Sequence, residues 1–179
     1  MNEILRCIEE RRSVKSYEER MPKREDIEKI INAGLYAASG RNMQTPIIIA
    51  ITDKKLRDRL SEANRKILGA DTDPFYGAPC VLVVLARAEG RTYLNDGSLT
   101  MGNMMLAAHS LGLGSCWVHR AREVFEEPEW KAWLKSIGAD GEYIGIGNLI
   151  LGYTKGDYPA KRPRRDNRVF FVEGENEKE

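Results

Sequence analysis

The spacing of apolar residues along the chain predicts five helices. Four of them begin at or just after a residue that commonly starts a helix, and these residues are Asn2, Pro22, Asp53 and Pro128. The remaining helix covers 94–111. The second helix is expected to continue to Ala38, with Gly40 as its C-terminal cap.

Five short apolar runs, several of them rich in β-branched residues, are predicted as strands. They cover residues 46–52, 80–86, 114–118, 143–153 and 168–172. Helices and strands alternate, which indicates an α/β or α+β domain. The helices between successive strands favour a parallel sheet, although a long crossover can also join antiparallel neighbours. The pattern alone therefore leaves the direction of the strands open.

Two segments raise the possibility of contacts with a second subunit. The helix at 94–111 is apolar over much of its surface, so it must lie at the centre of the domain or at a subunit interface. The arm at 155–168 is polar, contains Pro159 and Pro163, and leads into an apolar run. That run could pair with the sheet edge of another subunit. A disordered linker is the alternative, and the pattern does not separate the two.

The composition fits one globular domain. The chain has 179 residues, of which 42% are hydrophobic and 31% are charged, and this length is enough to enclose a core. No apolar run is long enough to span a bilayer, and the N-terminal residues lack the features of a signal peptide, so we expect a cytoplasmic protein. The net charge of +1 gives no overall field that would attract nucleic acid or a membrane.

The cysteines and histidines do not form a metal-binding or catalytic pattern. Cys7, Cys80 and Cys116 are widely spaced and are expected to be free thiols. Cys116 and His119 are the nearest pairing of a nucleophile with a base, but on a strand their side chains would point to opposite faces. With only 2 histidines in the chain, we expect no metal site. No side chain stands out as a catalytic acid or base.

Three polar segments contain the candidates for ligand binding. The segment from Arg11 to Lys15 follows the first helix, and its guanidinium, hydroxyl and ammonium groups suit phosphate oxygens. The loop from Ser39 to Gln44 offers hydrogen bonds to the edge of a heterocycle. The segment from Gly112 to Arg120 contains glycines that let the backbone approach a flat ligand or a helix. Each segment also has an ordinary explanation, as a solvated helix end, a turn or a packing site.

The glycines do not form a dinucleotide-binding motif. The pairs at 112/114 and 145/147 both lack the third glycine of that motif, and the first pair follows a helix instead of a strand. A dinucleotide-binding fold is therefore not supported. Set beside the cations between Arg11 and Lys15, the segment from Gly112 to Arg120 indicates an apolar ligand with an anionic tail. Flavin mononucleotide (FMN) fits that description.

Seven segments together form a recognisable set along nearly the whole chain. They are Arg11-Arg12-Ser13-Val14-Lys15, Ala38-Ser39-Gly40-Arg41-Asn42-Met43-Gln44, Pro74-Phe75-Tyr76-Gly77-Ala78-Pro79, Gly102-Asn103-Met104-Met105-Leu106-Ala107-Ala108, Gly112-Leu113-Gly114-Ser115-Cys116-Trp117, Leu151-Gly152-Tyr153 and the basic arm before Val169. In their order and spacing the chain resembles the FMN-dependent nitroreductase family. No single segment is decisive, but the set as a whole is specific.

The resemblance implies an α+β fold, with a central mixed, largely antiparallel sheet flanked by helices, in an intertwined homodimer. One FMN-binding domain would cover residues 1–172. Within it, residues 155–172 would form a C-terminal arm that embraces the partner and adds its last strand to the partner's sheet. Residues 173–179 would be an acidic, disordered tail.

The resemblance also implies two FMN sites at the dimer interface. The cofactor-binding residues would be Arg11, Arg12, Ser13, Lys15, Ser39, Gly40, Asn42, Trp117, Val118, His119, Arg120, Arg164 and Arg165. The residues before Val14 and the two arm arginines would hold the phosphate and ribityl chain, with Lys15 near the N1–O2 edge. Residues 39–42 would reach the flavin from the partner subunit. Residues 117–120 would line the isoalloxazine, with backbone N–H groups near N5 and O4.

The function implied by the resemblance is that of a flavin oxidoreductase. It would take hydride from NADH or NADPH and reduce nitroaromatic, quinone-like or related small acceptors by a ping-pong mechanism. Relatives with other flavin reactions, such as enone reduction or dehalogenation, leave the acceptor open. A non-catalytic flavin or phospho-ligand binding protein is a second alternative. Nucleic-acid binding by the basic residues at 161–168 is a third, and the near-zero net charge disfavours it.

Overall fold

A computed structural model describes residues 1–89 and 91–172, and the tail predicted at 173–179 lies outside this part of the chain. Within the described residues there are six α-helices, four β-strands and a 3₁₀ turn at Gly40–Asn42. The helices are α1 (Glu3–Glu10), α2 (Arg24–Leu35), α3 (Lys54–Leu68), α4 (Tyr93–Ser110), α5 (Ala121–Glu126) and α6 (Pro128–Ser136). The strands are β1 (Pro46–Ile51), β2 (Cys80–Arg87), β3 (Gly114–Val118) and β4 (Tyr143–Gly152).

The four strands form one antiparallel sheet in the order β1-β2-β4-β3. Pro46 at the start of β1 lies opposite Ala86 of β2, and Gly114 at the start of β3 lies opposite Gly152 of β4. The parallel direction that the helical connections favoured is therefore wrong, because here the helices cross over to antiparallel partners. The α+β fold implied by the family resemblance is confirmed, and β1 and β3 are the edges of the sheet.

Helices cover both faces of the sheet. On one face α2 and α4 enclose a core that includes Ile30, Leu82 and Met104. On the other face α3, α5 and α6 enclose a second core that includes Val83 and Trp130. Neighbouring residues of β2 belong to different cores, because successive side chains of a strand point to opposite faces.

Helix α4 is the central helix of its face, in agreement with its apolar sequence. Its own residues Met101, Met104 and Ala108 are fully buried. Leu94 and Leu99 remain 56% and 50% exposed, so part of its apolar surface has no neighbour within the described chain. No helix in the described ranges combines the length and the hydrophobicity needed to cross a membrane.

Two of the predicted helix caps are present, and one is wrong. Asn2 Oδ1 accepts the Leu5 N–H at 2.9 Å, and Asp53 Oδ1 accepts the Leu56 N–H at 2.8 Å. Such caps contribute about 1 kcal/mol each. Gly40 does not cap α2, which already ends at Leu35. Gly40 lies beyond the end of the helix, where its N–H donates to a carboxylate on α4.

Two further elements differ from the sequence prediction. Helix α5 has no counterpart in the predicted pattern, because a helix of 6 residues is too short to show a periodicity. The prediction of a strand at 168–172 is wrong for a single chain. These residues are exposed and pair with no strand of the described chain. An extended segment becomes a strand only when a neighbouring strand accepts its hydrogen bonds.

Two glycines permit close contacts around β3. A Cβ at Gly147 of β4 would clash with Nε1 of Trp117, so the missing side chain makes room for the indole over the sheet. A Cβ at Gly114 would lie 2.9 Å from Cγ2 of Val14, so this glycine lets the N-terminal segment approach β3. Both glycines therefore serve the packing of this chain.

Replacing Gly147 with alanine is expected to lower the free energy of unfolding by about 1–3 kcal/mol, because the new methyl group displaces the Trp117 indole. Urea denaturation followed by circular dichroism measures this loss. The control is the same substitution in a Trp117→Phe background, where the smaller ring should reduce the cost. Equal losses in the two backgrounds would contradict the proposed contact.

Candidate functional site

The candidate site lies at the open edge of β3. Because β3 is the last strand of the sheet, one side of it has no neighbouring strand. The N-terminal segment covers only its beginning, where Ser13 bridges to Ser115 and the Val14 N–H donates to the Ser115 carbonyl at 3.0 Å. The fold therefore brings the segment from Arg11 to Lys15 beside the segment from Gly112 to Arg120.

The polar side chains between Arg11 and Lys15 differ in their contacts. Nη1 of Arg11 is buried and has no hydrogen-bond partner among the described residues. Arg12 donates from Nη1 to two backbone carbonyls at the end of α1, at 2.6 and 2.7 Å. Ser13 and Lys15 are exposed, and Lys15 Nζ lies 5.4 Å from the centre of the Tyr76 ring. Arg11, Ser13 and Lys15 are thus available to an anion, whereas Arg12 is engaged by its own helix.

The pKa of the Cys116 thiol reflects the groups beside β3. Burial raises this pKa, while the Ser13 hydroxyl, Lys15 and Arg11 act in the lowering direction. The net shift is upward, so the thiol stays protonated at neutral pH and is a poor nucleophile.

Cys116 and His119 lie on opposite faces, as predicted. Cys116 belongs to the core beneath α3, α5 and α6, whereas Trp117 packs on the α4 side. The His119 ring lies 5.8 Å from the Trp117 ring. The three cysteines are free, and the described part of the chain holds no group of three or more His, Cys, Asp or Glu arranged for a metal ion.

The chain turns sharply just after β3. Arg120 has a φ of 79°, in the left-handed region that is uncommon for a residue with a Cβ. Its Nη1 lies 3.3 Å from a carboxylate oxygen of Glu123. Asn148, across the ladder on β4, donates from Nδ2 to the His119 carbonyl at 3.3 Å. The turn is therefore stabilised by a hydrogen bond from Asn148 of β4 and by an ion pair with Glu123 of α5.

Four buried side-chain polar atoms have no hydrogen-bond partner in the described ranges, and all four lie on or beside β3. They are Arg11 Nη1, Trp117 Nε1, Arg120 Nε and Asn148 Oδ1. A buried polar group without a partner costs about 1–3 kcal/mol, and native proteins seldom leave such groups without water or a ligand. Trp117 Nε1 lies over Gly147 of β4 and so faces the sheet. The guanidinium N–H groups of Arg11 and Arg120 remain, and they suit a ligand rich in acceptor atoms.

A second polar patch is formed by the loop at Ser39–Asn42. The Gly40 N–H donates at 3.0 Å to Oδ1 of Asp96, a carboxylate that is only 3% exposed. The hydroxyls of Thr45 and Thr92 lie 3.4 and 3.2 Å from the other carboxylate oxygen. Because Asp96 is in the first turn of α4, it fixes the loop to the start of that helix.

One chain does not bring all the predicted residues together. The loop at Ser39–Asn42 precedes β1, whereas Ser13 lies beside the start of β3. These two strands are opposite edges of the sheet, separated by three strand spacings, or roughly 14 Å. Their starts also lie at opposite ends of the sheet. The predicted site is therefore divided into two groups of residues.

The C-terminal arm begins by running back along α1. The Tyr158 hydroxyl accepts the Arg12 N–H at 2.7 Å and lies 3.1 Å from Nδ1 of His109. Farther on, Lys161 Nζ lies 3.0 Å from a carboxylate oxygen of Glu9. Burial lowers the pKa of His109, so its ring is neutral at pH 7 and Nδ1 can accept from Tyr158. The predicted phosphate ligands Arg164 and Arg165 lie beyond these contacts and are exposed.

Three residues near the two patches were not among the predicted site residues. Asn148 is a polar residue within an otherwise apolar strand, and this contrast was a usable signal, whereas Asp96 stands beside Asn95 and Ser98 and offers no such contrast. Tyr76 has a φ of 51° and lies next to Lys15. Its position depends on the fold of a loop, which cannot be predicted from local pattern.

Comparison with known proteins gives consistent matches over most of the chain. A sequence profile of the Nitroreductase family matches residues 8–72 and 70–153. A relative from Archaeoglobus fulgidus, which carries the provisional name NADH dehydrogenase/NAD(P)H nitroreductase, is 31% identical over 159 residues, or 87% of each chain.

Solved structures agree with the fold. A nitroreductase with bound FMN from Bacteroides fragilis has a TM-score of 0.86 and 29% identity, covering 97% of this chain and 100% of that one. A nitroreductase with bound FMN from Desulfitobacterium hafniense has a TM-score of 0.85 and 26% identity, with the same coverage of 97% and 100%.

Proposed function

Because the chain belongs to the nitroreductase family, we propose that it is a flavin oxidoreductase that binds FMN and takes electrons from NADH or NADPH. Residues 1–172 would form a single FMN-binding domain. Its second substrates are nitroaromatic, quinone-like or related small acceptors, reduced in a ping-pong cycle. The observation that carries the proposal is the unpaired, buried guanidinium N–H groups of Arg11 and Arg120 beside β3, in a fold shared with FMN-bound proteins.

The residues beside β3 fit the two chemically different parts of FMN. A phosphate requires cationic and hydroxyl donors, and Arg11, Ser13 and Lys15 offer them at the start of the strand. A flat isoalloxazine ring requires a flat surface and donors for its nitrogen and oxygen atoms. The backbone from Trp117 to Arg120 offers both. Arg12 would contribute by holding the end of α1, and Arg164 and Arg165 would join the phosphate site from the arm.

We propose that a second copy of this chain completes the site. The Ser39–Asn42 loop would reach the flavin from the partner, which explains why a single chain keeps it away from Ser13. Apolar surface supports this assembly: Ile4 of α1 is 71% exposed, and a groove of about 360 Å³ lies between α1 and α4. The arm ends in the exposed apolar residues Val169–Val172, which suit a partner's surface.

In this proposal the protein binds and orients, and its cofactor supplies the redox chemistry. When bound, FMN would supply the capacity for hydride transfer from the nicotinamide and for two-electron reduction of the acceptor. Arg11 and Ser13 would hold the phosphate, and Lys15 would place a positive charge near the N1–O2 edge. The backbone N–H groups after Trp117 would donate to the ring. No side chain is required as a proton donor.

Anaerobic stopped-flow mixing tests the proposed function. Protein reconstituted with FMN should lose its flavin absorbance when NADH or NADPH is added, and a suitable acceptor should restore it. Flavin that binds but is not reduced by either nicotinamide would favour a non-catalytic carrier. Protein that cannot be reconstituted with FMN would contradict the proposal.

The role of Lys15 gives a second prediction. Lys15→Ala should lower the midpoint potential of the bound flavin, because a positive charge stabilises the negative charge that the ring gains on reduction. We expect a fall on the order of 30 mV, which is about 1.4 kcal/mol for two electrons. Lys15→Arg keeps the charge and should stay near the wild-type value in the same dye titration. A Lys15→Ala protein with the wild-type potential would rule this role out.

A further inference from the structure

Asn148 is a buried polar residue that lies directly beneath the candidate site. It lies on β4 opposite Val118 and is 0% exposed. Its Nδ2 donates to the His119 carbonyl at 3.3 Å and to Oδ1 of Asn64 at 3.1 Å, and the Val118 carbonyl is 3.5 Å away. Three oxygen atoms surround the amide nitrogen, so only one orientation of the amide satisfies them.

Asn64 supports this orientation from α3. It is also 0% exposed, and its Nδ2 donates to the Leu60 carbonyl at 2.8 Å. That bond leaves Oδ1 of Asn64 directed at Asn148. The two amides form a short chain of hydrogen bonds that runs from the backbone of α3 to the backbone after β3.

These contacts set the direction of the peptide groups after Val118. In a planar trans peptide, the carbonyl and the N–H of the next residue point in opposite directions. Because the carbonyls of Val118 and His119 are both directed at Asn148, the N–H groups of His119 and Arg120 both point away from it. They therefore point toward the open edge of β3. Two successive N–H groups on one side form a concavity suited to an acceptor or an anion.

This arrangement departs from a regular strand. Successive carbonyls of a strand point to opposite sides, so the inward direction of the His119 carbonyl must be held in place. Asn148 holds it by a hydrogen bond, and the left-handed backbone of Arg120 accommodates it. Oδ1 of Asn148 is buried and has no hydrogen-bond partner among the described residues, so this amide costs free energy of folding that an apolar residue in the same place would not. Positioning of the backbone explains why an amide stands here.

We infer that Asn148, supported by Asn64, is a positioning residue that aims the N–H groups of His119 and Arg120 at the isoalloxazine ring. The inference rests on the proposed function. These donors would contact ring atoms whose accepting strength changes when the ring is reduced, so their placement sets the midpoint potential of the flavin as well as its affinity.

The test is the Asn148→Leu variant of the full chain, with the affinity for FMN and its midpoint potential as readouts. We expect FMN to bind about tenfold more weakly, as for the loss of one hydrogen bond, and the potential to shift away from the wild-type value. The matched control is Ile150→Val, two residues along β4 on the same face of the sheet. It disturbs the core without touching the amide, so its potential should equal that of the wild type.

Wild-type affinity and potential in Asn148→Leu would overturn the inference. Weaker binding at an unchanged potential would also overturn it. That result would mean that the substitution damages the pocket in general and does not move the N–H donors. If Asn148→Leu does not fold, Asn64→Leu takes its place. It should also shift the potential, by a smaller amount, and a wild-type potential would overturn the inference. Wild-type protein that binds no FMN would refute the proposed function and this inference with it.

Discussion

The structure of the candidate site depends on one constraint, the strand order β1-β2-β4-β3. This order leaves β3 at an edge, and the N-terminal segment occupies that edge only as far as Ser115. The backbone after Trp117 therefore keeps N–H groups that no strand of the same sheet accepts. The same order places the Ser39–Asn42 loop beside β1, at the other edge. A sheet built in this way cannot close the proposed site with one chain.

Buried polar residues hold each half of the site in place. Asp96 binds the Gly40 N–H and so joins the Ser39–Asn42 loop to the start of α4. Asn148 binds the His119 carbonyl and so holds the backbone after β3 from the α3 side of the sheet. Each buried group loses its hydration on folding, and this loss is offset only by well-directed hydrogen bonds. Such groups contribute little net stability, but they leave the backbone few alternative conformations. In both halves of the proposed site, the groups that would face the ligand are held by residues that would not face it themselves.

The sequence predicted the features of this fold that depend on local pattern. The caps at Asn2 and Asp53 and the apolar face of α4 follow from neighbouring residues, and they agree with the structure. The direction of the strands did not follow, because pairing joins residues far apart in the chain. The short helix α5 was too brief to show a period, and the segment at 168–172 cannot form a strand without a neighbour. The chemistry of Arg11, Ser13 and Lys15 could be proposed from residue type, whereas the role of Asn148 depends on peptide directions that only the fold reveals.

The central claim is that the FMN site is shared between two copies of the chain, and mixing two defective variants tests it most directly. Arg11→Glu damages the group of residues beside β3, and Gly40→Val damages the loop, where a Cβ would clash with Thr92. Neither protein alone should bind FMN well. After unfolding and refolding of an equal mixture, half of the dimers should be hybrids with one intact site each, so about one quarter of the sites should bind FMN. Hybrid dimers that form, as shown by two affinity tags, but recover no FMN binding would contradict the claim.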